Sequence, residues 1–193
     1  MTIHHSRSMS LALLLVSFGI SSARAEAPAG WHIAGSTPAD YEFSQTDTAS
    51  SGKHGSVIAA KSAAASGFGT LMQTIDADNY RGARWRLSGY MKTEEVAKAQ
   101  MWMRVDGPQG KVLAFDNMDS RYVAGTTQWK RYEIVLDVPS NSADIAFGYF
   151  LAGRGKVWAD NFKLEKVDAT VPLTATSTDS GMPKAPANPD FER

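Results

Sequence analysis

The residues in this chain with the means to do chemistry are few and lie close together. Asp116-Asn117-Met118-Asp119-Ser120-Arg121 is the most distinctive polar run, and Trp102 and Arg104 precede it on a strand-like segment. Asp and Asn can share hydrogen bonds with sugar hydroxyls, and the Arg121 guanidinium can offer a fork of donors to hydroxyls or carboxylates. The same residue types also build turns that bond their own backbone, with Arg121 paired to Asp119 or Asp116. The sequence leaves both roles open. Trp102 and Arg104 alternate with Met101, Met103 and Val105, so they fall on the polar face of their strand. An indole there is either a platform for the apolar face of a sugar ring or a core residue of a strand covered on both sides. Trp129 stands where a loop enters a strand, and its alternatives are the same.

Catalysis finds little support. After the leader, His32 and His54 are the remaining histidines, and neither sits in a recognised motif. No Gly-x-Ser-x-Gly elbow or phosphate loop occurs. Asp106, Asp116 and Asp119 could in principle supply opposed acids for glycoside hydrolysis, but loop acids are common in any sandwich. The expectation is a protein that is not an enzyme.

Composition narrows the partners. The chain has 193 residues, with Lys plus Arg and Asp plus Glu at 20 each. A net charge of zero argues against nucleic acid and against attachment to anionic lipid. Without cysteine the fold has no covalent staples and no thiolate chemistry. Leu11 to Ile20 is an apolar run too short to span a bilayer, and small residues at Ala23 and Ala25 follow it. These features predict a signal peptide over 1–25, cleaved after Ala25, with no membrane span thereafter and a periplasmic or secreted product.

The elements that must position the polar run read as strands. Trp31–Gly35, Tyr41–Phe43, Ser56–Lys61, Phe68–Ile75, Ala83–Lys92, Gln100–Asp106, Lys111–Phe115, Lys130–Val138, Asp144–Leu151 and Lys156–Val167 are separated by turn signals. In Ala83–Lys92, Trp85, Leu87, Gly89 and Met91 share a face. Thr93–Lys98 is read as a single helical turn capped by Thr93, and Asp116–Gln128 as a polar loop. The pattern predicts an all-β, antiparallel β-sandwich or barrel over 26–167. Residues 168–193, rich in Thr, Ser, Pro and Ala, read as a linker and tail.

The closing run GRGKVWADNFKLEKV resembles the last strand of galactose-binding-like jelly rolls, a class that includes many carbohydrate-binding modules. The runs GFGTLMQTIDADNYRGARWRLSGYMKT, AQMWMRVDG, FDNMDSR, GTTQWKRYEIVLDVP and IAFGYFLAGRGKVWADNF are similar to a little-characterised bacterial module. That module is found alone or beside peptidase domains, and its single-domain members are often labelled transcriptional regulators. The resemblance implies a jelly roll that binds carbohydrate or a cell-envelope polymer, with Trp102, Arg104, Asp116, Asn117, Arg121 and Trp129 as candidate contacts. The alternative is a protein partner, peptide or peptidase-like, met at a sheet edge; a small hydrolase or lyase comes third. No cofactor is required. A structural calcium is implied at Asp160, shared with Glu192 of the terminal Asn-Pro-Asp-Phe-Glu run, because such domains often open with a similar motif. Here that motif stands at the other end, so the tail is either a remnant or an added strand returning to the sandwich, anchored by Phe191.

Overall fold

The computed structural model describes residues 27–52 and 54–175. The expected leader, Glu192, Phe191 and the rest of the terminal run lie outside the described residues. Nine strands follow one another: β1 (His32–Gly35), β2 (Tyr41–Thr46), β3 (Gly55–Ala60), β4 (Phe68–Asp76), β5 (Ala83–Asp106), β6 (Val112–Asp116), β7 (Val123–Val138), β8 (Asp144–Ala152) and β9 (Lys156–Val167). Three short 3-10 turns are the helical elements among the described residues, and none of these is long and apolar enough to cross a membrane.

Every pairing is antiparallel. The 24-residue β5 organises them, because its two halves belong to different layers. Its first half, Ala83 to Glu94, pairs with β7 and β9, and β9 continues to β3 and β2. Its second half, Lys98 to Asp106, pairs with β8 and β6, and β8 continues to β4 and β1. One hydrogen-bonded sheet thus folds over itself into the expected β-sandwich. Alternation supplies the core. Leu87 and Met91 from the first half of β5 and Met101, Met103 and Val105 from the second are fully buried, as are Ile58, Ile134, Ile145, Tyr149 and Leu151.

The bend in β5 corrects the expected helical turn at Thr93–Lys98. A segment this short cannot nucleate a helix alone, whereas strands on both sides offer it partners. The Thr93 hydroxyl caps nothing; it donates to the Gly125 carbonyl of β7 at 3.0 Å, and Thr93 is fully buried. Register shifts against β7 between Met91 and Ala99, with Glu95 at φ 50°, let the strand change layers. The Gly153–Gly155 turn packs into this bend. Gly155 has φ +102°, and a Cβ there would lie 2.6 Å from the Val96 Cα and 2.7 Å from the Glu94 carbonyl oxygen.

Two other boundaries differ from expectation. β7 begins at Val123, so most of the expected loop over Asp116–Gln128 is strand and the loop shrinks to 117–122. The Thr/Ser/Pro-rich segment does not leave the domain at Asp168. Arg84, bidentate to Asp137 at 2.8 and 3.0 Å, also donates to the carbonyls of Ala169 and Val171. Thr174 then lies along the free edge of β7. Its backbone N–H donates to the Val135 carbonyl at 3.1 Å, and its hydroxyl accepts from the Val135 N–H at 2.7 Å. The Val135 N–H and carbonyl, edge groups that would otherwise need water, are both satisfied by Thr174.

Candidate functional site

The outer face of the β1-β4-β8-β5-β6 layer is a groove of about 590 Å³, lined among others by Phe68, Thr70, Met72, Trp102, Arg104, Phe115, Asn117 and Phe150. Strand register explains its shape. Residues paired across neighbouring strands share a face, so the floor is a set of rows: Ala34–Thr70–Phe150–Gln100, His32–Met72–Gly148–Trp102, and Thr74–Ala146–Arg104–Phe115. The central strand β8 contributes Gly148 and Ala146 to two rows, between the larger Met72, Trp102 and Arg104. Small residues in the middle and large ones on the flanks make a trough. Phe150 and Phe68 close one side, their rings 5.3 Å apart and tilted by 52°.

Trp102 is half-buried, its ring face part of the groove and its edge anchored. The indole Nε1 donates to the Thr70 hydroxyl at 3.0 Å, and that hydroxyl donates to the Tyr149 carbonyl at 2.8 Å. Such a chain fixes the ring orientation. Arg104 is held through Nε, which donates to Asp106 Oδ2 at 2.8 Å. The Arg104 side chain is 44 % exposed and that of Asp106 only 5 %. Phe115, directly across from Arg104, is among the exposed large apolar side chains. A further row, Asp76–Asp144–Asp106, borders the groove at its end. There burial raises the Asp144 carboxyl above its ordinary pKa, and the neighbouring Asp106 adds to this while Arg104 opposes it.

The structure brings Trp102, Arg104 and Asn117 together and places the other candidates elsewhere. Asp116 is buried at the end of β6 and works as a turn residue. Its Oδ1 accepts from the Met118 N–H at 2.8 Å and from Arg121 Nη1 at 3.2 Å; its Oδ2 accepts from Arg121 Nη2 at 2.7 Å. Burial alone would raise the Asp116 pKa, but the Arg121 guanidinium, the Thr174 hydroxyl and the Met118 N–H outweigh it and hold the carboxyl below its ordinary range. Asp116 and Arg121 thus occupy each other, and Met118, at φ 57° and buried, pins the loop between them. That turn presents Asn117 to the groove: Asn117 Oδ1 accepts from the Asp119 N–H, and its carbonyl accepts from Gln100 Nε2. Trp129 sits on β7 in the other layer, half-buried and outside the groove.

Asp160 also anchors a loop. Its Oδ2 accepts from the Ser50 N–H at 2.9 Å, the Ser50 hydroxyl at 2.8 Å and the Ser51 N–H at 3.1 Å. Three donor hydrogens point at Oδ2, which leaves Oδ1 as the one oxygen of this carboxylate for a calcium ion that takes six to eight. Among the described residues no group of three or more His, Asp or Glu is placed to hold a metal. The pairing of Asp160 with Glu192 remains an expectation, since Glu192 lies outside the described residues.

The sequence reading missed Phe68, Thr70, Met72, Phe115 and Phe150. Their signal was present in one place: Ile145, Phe147, Tyr149 and Leu151 alternate with Asp144, Ala146, Gly148 and Phe150, so the second set had to face outward. Which outward-facing residues line up across strands depends on register, and the sequence does not show it.

The chain matches no protein-family model. Over 166 residues it is 42% identical to a Bacillus subtilis (strain 168) protein named an uncharacterized HTH-type transcriptional regulator, YbfP. The match covers 84% of this chain and 56% of that protein, so the chain spans about half the length of the relative. Among solved structures, the C-terminal family 22 carbohydrate-binding module of Clostridium thermocellum Xyn10B superposes with a TM-score of 0.52 at 17% identity, covering 75% of this chain and 89% of that one. A cyclase from Fischerella sp. TAU superposes with a TM-score of 0.57 at 13% identity, with the same coverage. At such identities the likeness is one of fold.

Proposed function

We propose that this protein is an exported, non-catalytic module that binds a carbohydrate or cell-envelope polymer in the β1-β4-β8-β5-β6 groove. One observation carries the reading: an oriented, half-exposed Trp102 in an open trough that also holds Phe150, Phe68 and Phe115. A pyranose ring has an apolar C–H face that stacks on such a surface and an edge of hydroxyls for the polar groups beside it. The volume lies within the roughly 300–1,000 Å³ usual for ligand sites. An open trough, unlike a closed pocket, admits a ligand that continues in both directions, as a polymer does. The family 22 module lends support as a fold of the same kind, in which residues of a cleft serve ligand binding.

The helix-turn-helix in the relative's name has no counterpart among the described residues, which contain strands and 3-10 turns. The balanced charge adds nothing in favour of nucleic acid. The test is a glycan array followed by titration calorimetry on the wild type and Trp102→Ala. Loss of the stacking surface is expected to weaken binding by about fivefold or more, taking base–aromatic stacking at about 1–3 kcal/mol as the guide. Wild-type affinity in Trp102→Ala, or no glycan bound by the wild type, refutes the proposal.

A further inference from the structure

The groove is rich in unpaired hydrogen-bond donors. Among its lining side chains, the Thr70 hydroxyl spends its hydrogen on the Tyr149 carbonyl and accepts from Trp102. The Trp102 N–H is spent in the same chain. Asn117 Oδ1 accepts from the Asp119 N–H, which fixes the amide so that Nδ2 is the group left over. The Ser36 hydroxyl oxygen accepts from the Phe68 N–H at 3.0 Å, leaving its hydrogen to donate. Arg104 uses Nε on Asp106, and neither Nη has an acceptor among the described residues. What remains to donate is two guanidinium Nη groups, one amide NH2 and one O–H, while the Asn117, Ser36 and Thr70 oxygens each keep one lone pair. No carboxylate is among the residues that line the groove.

A sugar hydroxyl offers a guanidinium one oxygen, whereas a carboxylate offers two parallel acceptor oxygens that match a pair of Nη groups. Arg104, paired to Asp106 through Nε, keeps that two-Nη edge open in the groove beside Trp102. From that we infer that its ligand is an anionic glycan, a polymer carrying uronic-acid carboxylates, with Arg104 receiving the carboxylate and Trp102 stacking on an adjoining ring. The inference rests on the groove being a carbohydrate site and deepens that reading. The acidic row Asp76–Asp144–Asp106 at one end of the groove sets the direction. Like charges repel there, so the carboxylate approaches Arg104 from the Trp102 and Asn117 side. Asp106 holds the guanidinium in place while its own carboxylate stays buried beneath.

The experiment is titration calorimetry of the purified protein with oligogalacturonates and with the same oligomers as methyl esters. Esterification removes the charge and leaves the ring. Alginate oligomers, a second uronate, and sulfated oligosaccharides complete the series. The acid forms are expected to bind at least tenfold tighter than the esters, with affinity falling as salt rises. Arg104→Gln is expected to cost the acid form roughly tenfold or more, the loss of a charge-assisted hydrogen bond, and the ester little. Trp102→Ala is expected to weaken both. Equal affinity for acid and ester, an equal effect of Arg104→Gln on both, or preference for sulfated over carboxylated ligands overturns the inference and leaves the groove a carbohydrate site. Absence of binding to any glycan overturns the carbohydrate reading itself. Thermal melts of both variants confirm folding, and Arg104→Lys, which keeps charge but loses the fork, is expected to recover part of the acid preference.

Discussion

Replacing Asp116 by Ala separates a residue that holds the groove from one that touches the ligand. The side chain is 5 % exposed and accepts three hydrogen bonds, two of them from Arg121. Breaking a buried ion pair from one side costs about 3–5 kcal/mol, mostly for the charge left behind. Here the abandoned charge is Arg121, whose side chain is 35 % exposed and keeps a contact with the Glu133 carbonyl at 3.3 Å. Partial rehydration reduces the cost to about 2 kcal/mol, on the scale of a hydrogen bond to a charged group. The lost bond to the Met118 N–H adds about 1 kcal/mol more. A total near 3 kcal/mol corresponds to a fall in Tm of about 6–12 °C for a domain of this size. Arg121→Ala should cost at least as much, because it strands the more deeply buried partner. The double variant should recover about 1.5–3 kcal/mol relative to the sum of the singles, as expected for groups in direct contact.

Acid sharpens the same test. The Asp116 carboxyl is held below its ordinary range in the folded protein, so the stability it confers is present above the unfolded-state value near pH 4 and is lost as pH falls through the folded one. The gap in Tm between the wild type and Asp116→Ala should be constant at neutral pH and close below about pH 4. Thermal melts by circular dichroism across pH, paired with ligand titration, provide the readout. A variant that melts like the wild type yet no longer binds ligand would refute this argument and make Asp116 a direct contact.

Three further outcomes follow from other parts of the fold. Gly155→Ala forces a side chain to φ +102° and a Cβ to 2.6 Å from the Val96 Cα and 2.7 Å from the Glu94 carbonyl oxygen, and both contacts are with backbone; a loss of about 2–3 kcal/mol by denaturant unfolding is expected, and a loss below 1 kcal/mol would mean that the β5 bend relaxes freely. Thr174→Val leaves the Val135 N–H without its 2.7 Å acceptor and should cost about 1–2 kcal/mol, whereas no change would show that the Thr174 hydroxyl adds nothing to the β7 edge. Asp144→Asn is expected to raise Tm at neutral pH: burial raises this carboxyl's folded pKa, so its ionised form is unfavourable, and the gain should fade as pH falls through the window where the wild-type group takes up its proton. A gain that persists at low pH would contradict that cause.

How far the sequence discloses this molecule depends on the range of the information. Period-two alternation is local, so it placed Met101, Met103 and Val105 inward and Trp102 and Arg104 outward, as the structure has them. The Thr93 turn failed because local propensity competes with partners far along the chain, and β7 and β9 won. The groove needed longer-range information still. Phe68, Trp102, Phe115 and Phe150 come from four strands, and only the register that pairs Gly148 with both Met72 and Trp102 places a gap between large side chains. The polar run was legible as chemistry but not as role. Asp116 and Arg121 look like ligand groups because they are charged and close in sequence, and that same closeness lets them satisfy each other. Asn117 lies between them and is the residue the turn leaves free to face the groove. In a loop whose acids and bases can pair internally, the amide between the charges is therefore the better candidate contact, and Asn117→Ala should reduce ligand binding while leaving the Asp116–Arg121 pair and the melting temperature close to wild type. A large fall in Tm in that variant would show that the bond from the Asp119 N–H to the Asn117 side chain matters chiefly to the fold.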